Sequence, residues 1–187
     1  MQDVAAIVAD VWRRLSRAVV DREHPFRFGA LATAEADGAP AARTIVLRRV
    51  DASDRTLWFH TDRRSPKVAQ LAADPRVTWL LWDPTDKLQI RLTGRATVHL
   101  DDPPADTLWA DVPPPVRVTY QSPHPPGTAI DRPHRNLPDA GGDAGREHFV
   151  AVEVRVEGVD WLQLDAVGHR RARISLIGGL SGGWVTP

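Results

Sequence analysis

Apolar residues at Val4, Ile7, Val8, Val11, Leu15, Ala18 and Val19 recur at the i, i+3, i+4, i+7 spacing of one buried stripe. They predict a helix over 2–20, ended by His24-Pro25. Beyond it the period falls to two. Residues 28–36 are small and apolar and run into Asp37-Gly38, a hairpin signal. Residues 41–50, which contain RTIVLRRV, and 56–61, TLWFHT, read as a second and third strand around a polar turn at 51–55. Residues 65–73 read as a short helix, with Ser65 as N-cap, Pro66 at the first helical position and Asp74-Pro75 as its end. Two more strands follow at 76–82 and 88–100, then a helical turn at 103–110. Three late strands are expected at 149–156, 160–164 and 170–177.

Residues 112–147 break this rhythm. They hold Pro113, Pro114, Pro115, Pro123, Pro125, Pro126, Pro133 and Pro138 with four glycines, and read as a long loop, functional or mobile. About eight strands, few helices and no strand–helix alternation predict a mainly β fold with flanking helices. The expectation is an antiparallel barrel or sandwich in a single domain over 1–187, with the N-terminal helix packed beside it. The glycines of IGGLSGGW precede no helix, so they are not read as a dinucleotide loop.

Composition narrows the function classes. Lys+Arg and Asp+Glu both total 24, so the basic excess usual in nucleic-acid binders is missing. Cysteine is absent, which removes disulfides, catalytic thiols and thiolate metal sites. The seven histidines show no HxH or HExxH spacing, and no metal is predicted. No apolar run reaches the length of a membrane span. Asp3 precedes any basic residue and Asp10 interrupts the first apolar stretch, unlike a signal peptide, so the expected location is the cytoplasm. Only Lys67 and Lys87 are lysines, so 22 of the 24 basic residues are Arg and a single Arg says little.

One segment breaks a local rule. Asp62-Arg63-Arg64-Ser65-Pro66-Lys67 puts three basic residues at a helix start, where the helix dipole favours acidic ones. Either all three are solvated at small cost, or an anion sits there among free N–H groups and basic side chains. A second cluster, Arg43, Arg48 and Arg49, lies on RTIVLRRV, where alternation puts Arg43, Ile45, Leu47 and Arg49 on one face. Arg43 there either needs a buried partner or lies at a strand end in water.

In order along the chain these pieces resemble the pyridoxamine 5′-phosphate oxidase superfamily, the FMN-binding split barrels, and within it the short oxidase-related subgroup. The resemblance runs through Arg43-Thr44-Ile45-Val46-Leu47-Arg48 and Phe59-His60-Thr61. It continues through Ser65 and Lys67 opening a helix that ends in Asp74–Val77, then Gln89 and Gly94, then Gln121-Ser122. It implies FMN at the interface of a homodimer, with Arg43, Ser65 and Lys67 at the phosphate and Arg64 compensating for Pro66, which replaces a common basic residue. It also implies that Thr44, Ile45, Val46 and Leu47 run beside the ring system, and that His60, Thr61, Gln89, Gln121 and Ser122 reach the cofactor. Trp161, Arg170 and Arg171 are the nearest matches to a late Trp and Arg of the family.

The implied activity is an FMN-dependent oxidoreductase with Arg48, or a residue of 112–147, facing a small-molecule substrate. The alternatives are a non-catalytic flavin carrier or sensor, or a binder of a deazaflavin or haem on the same fold. The Tyr, Arg and Ser that hold substrate phosphate in the true oxidases have no counterparts across 108–116, LWADVPPPV, so pyridoxine phosphate is not expected as the main substrate.

Overall fold

Every strand pair in this chain is antiparallel. The structure, a computed structural model, describes residues 3–132 and 143–187. Helix α1 (Val4–Val20) precedes β1 (Phe28–Ala34), β2 (Pro40–Val46), β3 (Arg49–Asp51) and β4 (Thr56–Asp62). Helix α2 (Pro66–Ala73) leads to β5 (Arg76–Asp83) and β6 (Leu88–His99). Helices α3 (Pro103–Ala110) and α4 (Pro114–Arg117) precede β7 (Phe149–Gln163), β8 (Arg170–Ser175) and β9 (Ser181–Val185). The strands form one sheet in the order β2-β1-β5-β6-β7-β4-β3, with β8 on β7 and β9 on β8. The path is open between β2 and β3, the arrangement of a split barrel.

Alternation sets the faces. Leu31, Ile45, Leu57, Phe59, Trp79, Ile90, Leu92 and Val152 point inward and join Ile7, Val11, Trp12 and Leu15 of α1 in one core. Each such side chain contributes roughly 1.5–3 kcal/mol by leaving water. The outer face of β4 and β7 builds a second cluster, where Trp58, Phe149 and Ala151 meet Leu108, Trp109 and Tyr120. Strand β4 is therefore covered on both sides, which explains its nearly unbroken burial. Gly94 sits where β6 and β7 shift register; a Cβ there would lie 2.2 Å from the Arg155 carbonyl oxygen.

Several expectations change. The strand expected over 41–50 breaks at Leu47-Arg48, because the Leu47 N–H donates to the Arg27 carbonyl and the Arg48 N–H to the Trp58 carbonyl. Arg49 thus begins a new exposed strand and does not share the Arg43 face. The two strands expected at 149–156 and 160–164 are one, β7, continuous through Gly158. Strand β9 was not anticipated, since its glycines hide the alternation. The stretch 112–147 is not all loop: it holds α4 and a 3₁₀ turn at Val118–Tyr120, while 133–142, with Pro133 and Pro138, lies outside the described residues. So does Gln2 at the head of the expected first helix.

Candidate cofactor and substrate site

At the start of α2, Ser65 occupies the N-cap position, but its hydroxyl caps no backbone N–H. It accepts instead from the Lys67 ammonium at 2.5 Å, and Thr61 of β4 accepts from the same ammonium at 3.0 Å. Across the barrel end, Arg43 of β2 donates from one terminal nitrogen to the Thr33 hydroxyl at 2.6 Å and from the other to Gln70 Oε1 at 2.9 Å. Gln70 follows Lys67 by one turn of α2 and is buried. Arg43 and Lys67 make no ion pair among the described residues. Burial lowers the Lys67 pKa below its ordinary value and the nearby Arg43 charge lowers it further. Burial also lowers Arg43, while Glu35 acts in the opposite direction. Two partly buried cations that repel each other, beside a helix start with no side-chain cap, are an arrangement that can accept a dianion.

The rest of the expected set separates. Arg64 does not add a free donor: it pairs with Asp62 at 2.7 Å and donates to the Ser122 carbonyl at 3.0 Å. That bond ties Gln121-Ser122 to the turn before α2, and the Gln121 amide donates to the Ala144 carbonyl at 3.0 Å. Ile45 and Leu47 are buried in the core, while Thr44 and Val46 face outward. Because β2 ends the strand path, one edge of its backbone pairs with no other strand. Gln89 lies on the outer face of the sheet, between Trp82 and Leu162. Trp161 is packed in the core against Trp184, so its ring does not face outward. Arg171 is held by Asp160 and Arg170 by Gln163.

His60 turns to the other side of β4. With Leu47, Arg48, Leu108, Val112 and Val116 it lines a cavity of about 260 Å³ between the β2–β3 kink and the α3–α4 segment. Its Nε2 is buried without a partner, and its ring stands edge-on to Phe149 at 4.8 Å. Burial, aided by the Arg48 charge, holds the imidazole pKa down at about 3, so it is neutral at physiological pH. Burial also lowers the Arg48 guanidinium, and Arg48 forms no ion pair among the described residues. A neutral imidazole and the guanidiniums of Arg27, Arg48 and Arg49, beside the apolar side chains of that cavity, can take a flat ligand bearing an anionic group.

Thr33 and Gln70 were not foreseen as site residues. Gln70 was detectable: it stands three residues after Lys67 on the face that meets the sheet.

Residues 9–100 match the sequence model of the pyridoxamine 5′-phosphate oxidase FMN-binding domain. A pyridoxine/pyridoxamine 5′-phosphate oxidase of Anaeromyxobacter dehalogenans is 38% identical over 99 residues, 53% of this chain and 48% of that one. The chain thus spans about half the length of that curated relative. A dihydrophenazinedicarboxylate synthase of Pseudomonas chlororaphis is 31% identical over 169 residues, 87% of this chain and 74% of that protein. Among solved structures, PhzG of Burkholderia lata, in complex with tetrahydrophenazine-1-carboxylic acid, superposes with a TM-score of 0.75 at 23% identity, covering 97% of this chain and 92% of its own. An FMN-binding protein of Nostoc punctiforme related to pyridoxamine 5′-phosphate oxidase gives 0.74 at 23% identity, covering 97% and 96%. At these identities the two structures speak for the fold.

Proposed function

Because the chain belongs to the pyridoxamine 5′-phosphate oxidase-like family, whose cofactor is FMN, we propose that it is an FMN-dependent oxidoreductase acting on a flat, carboxylated ring compound and not chiefly on pyridoxine 5′-phosphate. Arg43, Lys67, Ser65 and Thr61 hold the FMN phosphate: two cations without carboxylates among neutral hydroxyls fit that group. The backbone edge of β2 that pairs with no other strand, at 44–46, serves the ring system. When bound, FMN supplies the hydride chemistry, and this chain supplies binding, orientation and exclusion of water.

The cavity of Arg48 and His60 carries the substrate reading. Arg48 there meets one anionic group, and the neutral His60 offers an unpaired Nε2. The α3–α4 wall presents Leu108, Val112, Pro113 and Val116, with Asp111 at the rim. Against a phosphate dianion, the 108–116 wall offers no Tyr, Arg or Ser, and its one charged group, Asp111, has the wrong sign, so any anion must be held by Arg27, Arg48 and Arg49 alone. The α3–α4 wall follows residue 100, where the match to the FMN-binding domain stops, while Arg48 and His60 lie within that match. The synthase relative, whose match extends over most of the chain, is named for a dicarboxylate of a flat ring system, which agrees with such a cavity.

We also place a homodimer in this reading. Phe28, Leu80 and Trp82 are 54%, 38% and 43% exposed. With Val46 they form an apolar patch on the outer face of β2-β1-β5, beside Gln89. A two-fold partner would cover it.

The test is anaerobic mixing of the FMN-loaded protein with reduced carboxylated ring compounds and with pyridoxine 5′-phosphate, followed by loss of the flavin's blue absorbance. Fast bleaching by the carboxylates alone, restored by oxygen, is expected. Turnover of pyridoxine 5′-phosphate with a micromolar Michaelis constant would overturn the substrate assignment.

A further inference from the structure

Gln70 is 6% exposed and accepts two hydrogen bonds on one atom, Oε1. One comes from Arg43 at 2.9 Å and the other from the Thr33 hydroxyl at 2.6 Å. The Thr33 oxygen in turn accepts from the second terminal nitrogen of Arg43 at 2.6 Å, closing a ring of three side chains from α2, β1 and β2. Both partners of Oε1 act as donors toward it, which identifies that atom as the amide oxygen. Arg43 also reaches the carbonyls of Leu31 and Ala41 at 3.4 Å each. Every acceptor in this set is neutral. Other arginines of this chain are fixed by carboxylates, as Arg64 is by Asp62 and Arg76 by Asp74.

We propose that Gln70 is a positioning residue that orients Arg43 without cancelling its charge, and thereby sets the preference for FMN over riboflavin, the same ring system lacking the phosphate. This rests on the reading that Arg43 and Lys67 hold the phosphate. A neutral acceptor fixes the guanidinium plane through directional bonds and leaves its full charge for an incoming dianion. A carboxylate at the same position would fix the plane equally well but would compete with the phosphate for the same cation. The choice of Gln over Glu at a position whose carbonyl oxygen accepts from Arg43 and Thr33 is therefore a matter of charge.

The experiment measures dissociation constants for FMN and for riboflavin by flavin fluorescence, with thermal melts, on Gln70→Glu, Gln70→Leu and Arg43→Ala. Gln70→Glu is expected to weaken FMN about tenfold or more, leave riboflavin within about twofold and not lower the melting temperature. Gln70→Leu should lose a comparable factor for FMN alone, through the freed Arg43. If Gln70→Leu does not fold, the nearly isosteric Gln70→Glu decides by itself. Native FMN affinity in Gln70→Glu, or equal losses for the two flavins, would overturn the proposal. The underlying reading fails separately: Arg43→Ala would then leave the FMN-to-riboflavin ratio at its native value.

Discussion

Two groups of basic residues on this sheet keep opposite company. On the outer face, Arg91, Arg171 and Arg173 converge on Asp160 at 2.5, 2.7 and 3.3 Å. At the barrel end, Arg43 donates to the Thr33 hydroxyl and the Gln70 amide oxygen and Lys67 to the Thr61 and Ser65 hydroxyls, and neither has a carboxylate partner among the described residues. The first group is internally satisfied; hydrogen bonds from Arg171, ahead of the opposing effect of burial, lower the Asp160 pKa. The second is held in place but not neutralised. Partly buried cations without a carboxylate also occur at Arg27 and Arg55, which donate to backbone carbonyls; Arg43 and Lys67 differ in standing close together at a helix start, which fits an external anion. Arg48 is a third case, in a separate cavity.

The contrast breaks most sharply at the cofactor. Replacing both Arg43 and Lys67 by Ala should weaken FMN at least about a hundredfold, since each charged hydrogen bond is worth about 1.5–3 kcal/mol. Fluorescence titration measures it, and a loss under about threefold would show that the phosphate binds elsewhere.

The next effect belongs to His60, kept neutral beside Arg48. Its folded pKa is about 3 against an ordinary 6.5, so the unfolded chain takes up a proton that the native protein refuses. Stability linked to His60 is thus complete above about pH 6.5 and falls as the pH drops toward 3, by at most about 1.4 kcal/mol per pH unit. Urea midpoints between pH 7 and 4.5 should show this slope, and His60→Gln should flatten it. An unchanged slope in that variant would place the titration on another group.

Asp160→Ala tests the satisfied group. It leaves three guanidiniums facing one another without their acceptor. Two of the three are well exposed, so the cost is on the order of 1–2 kcal/mol, a melting temperature lower by about 2–6 °C. No measurable change would mean that solvent already screens the hub.

How far these features could be read in the sequence follows from their range. Helix α1, strand β1 and helix α2 rest on local periodicity and local caps, and they lie within two residues of where pattern places them. Arg43 and Lys67 stood out because they break local rules. The break at Leu47-Arg48 was invisible because it is made by carbonyls of Arg27 and Trp58, distant in sequence. That break is what starts a new strand at Arg49 and takes Arg49 off the Arg43 face. The outward turn of His60 could be counted from alternation with Phe59, but its cover by α3 could not, because that segment joins β4 only through the second core. Arg64 looked like a free phosphate donor because its competitor, Asp62, lies two residues away and reads equally well as a solvated turn residue.

The smallest effect has the opposite sign and is the cleanest test of the comparison. Lys67 is desolvated, sits beside another cation and has two hydroxyls as acceptors. In the cofactor-free protein, Lys67→Met removes the repulsion with Arg43 and the desolvation of an ammonium. It loses two hydrogen bonds whose hydroxyl partners can turn to each other or to water. The two sides nearly cancel, so the cofactor-free variant should match the native melting temperature or exceed it, by a change on the order of 0.5 kcal/mol. Saturating FMN should raise the native protein's melting temperature well above the variant's, because a ligand that binds only the folded state stabilises in proportion to its affinity. Paired melts with and without FMN read both signs in one experiment. If cofactor-free Lys67→Met instead falls by as much as Asp160→Ala, Lys67 is part of the scaffold, and the division between satisfied and waiting cations fails at its central residue.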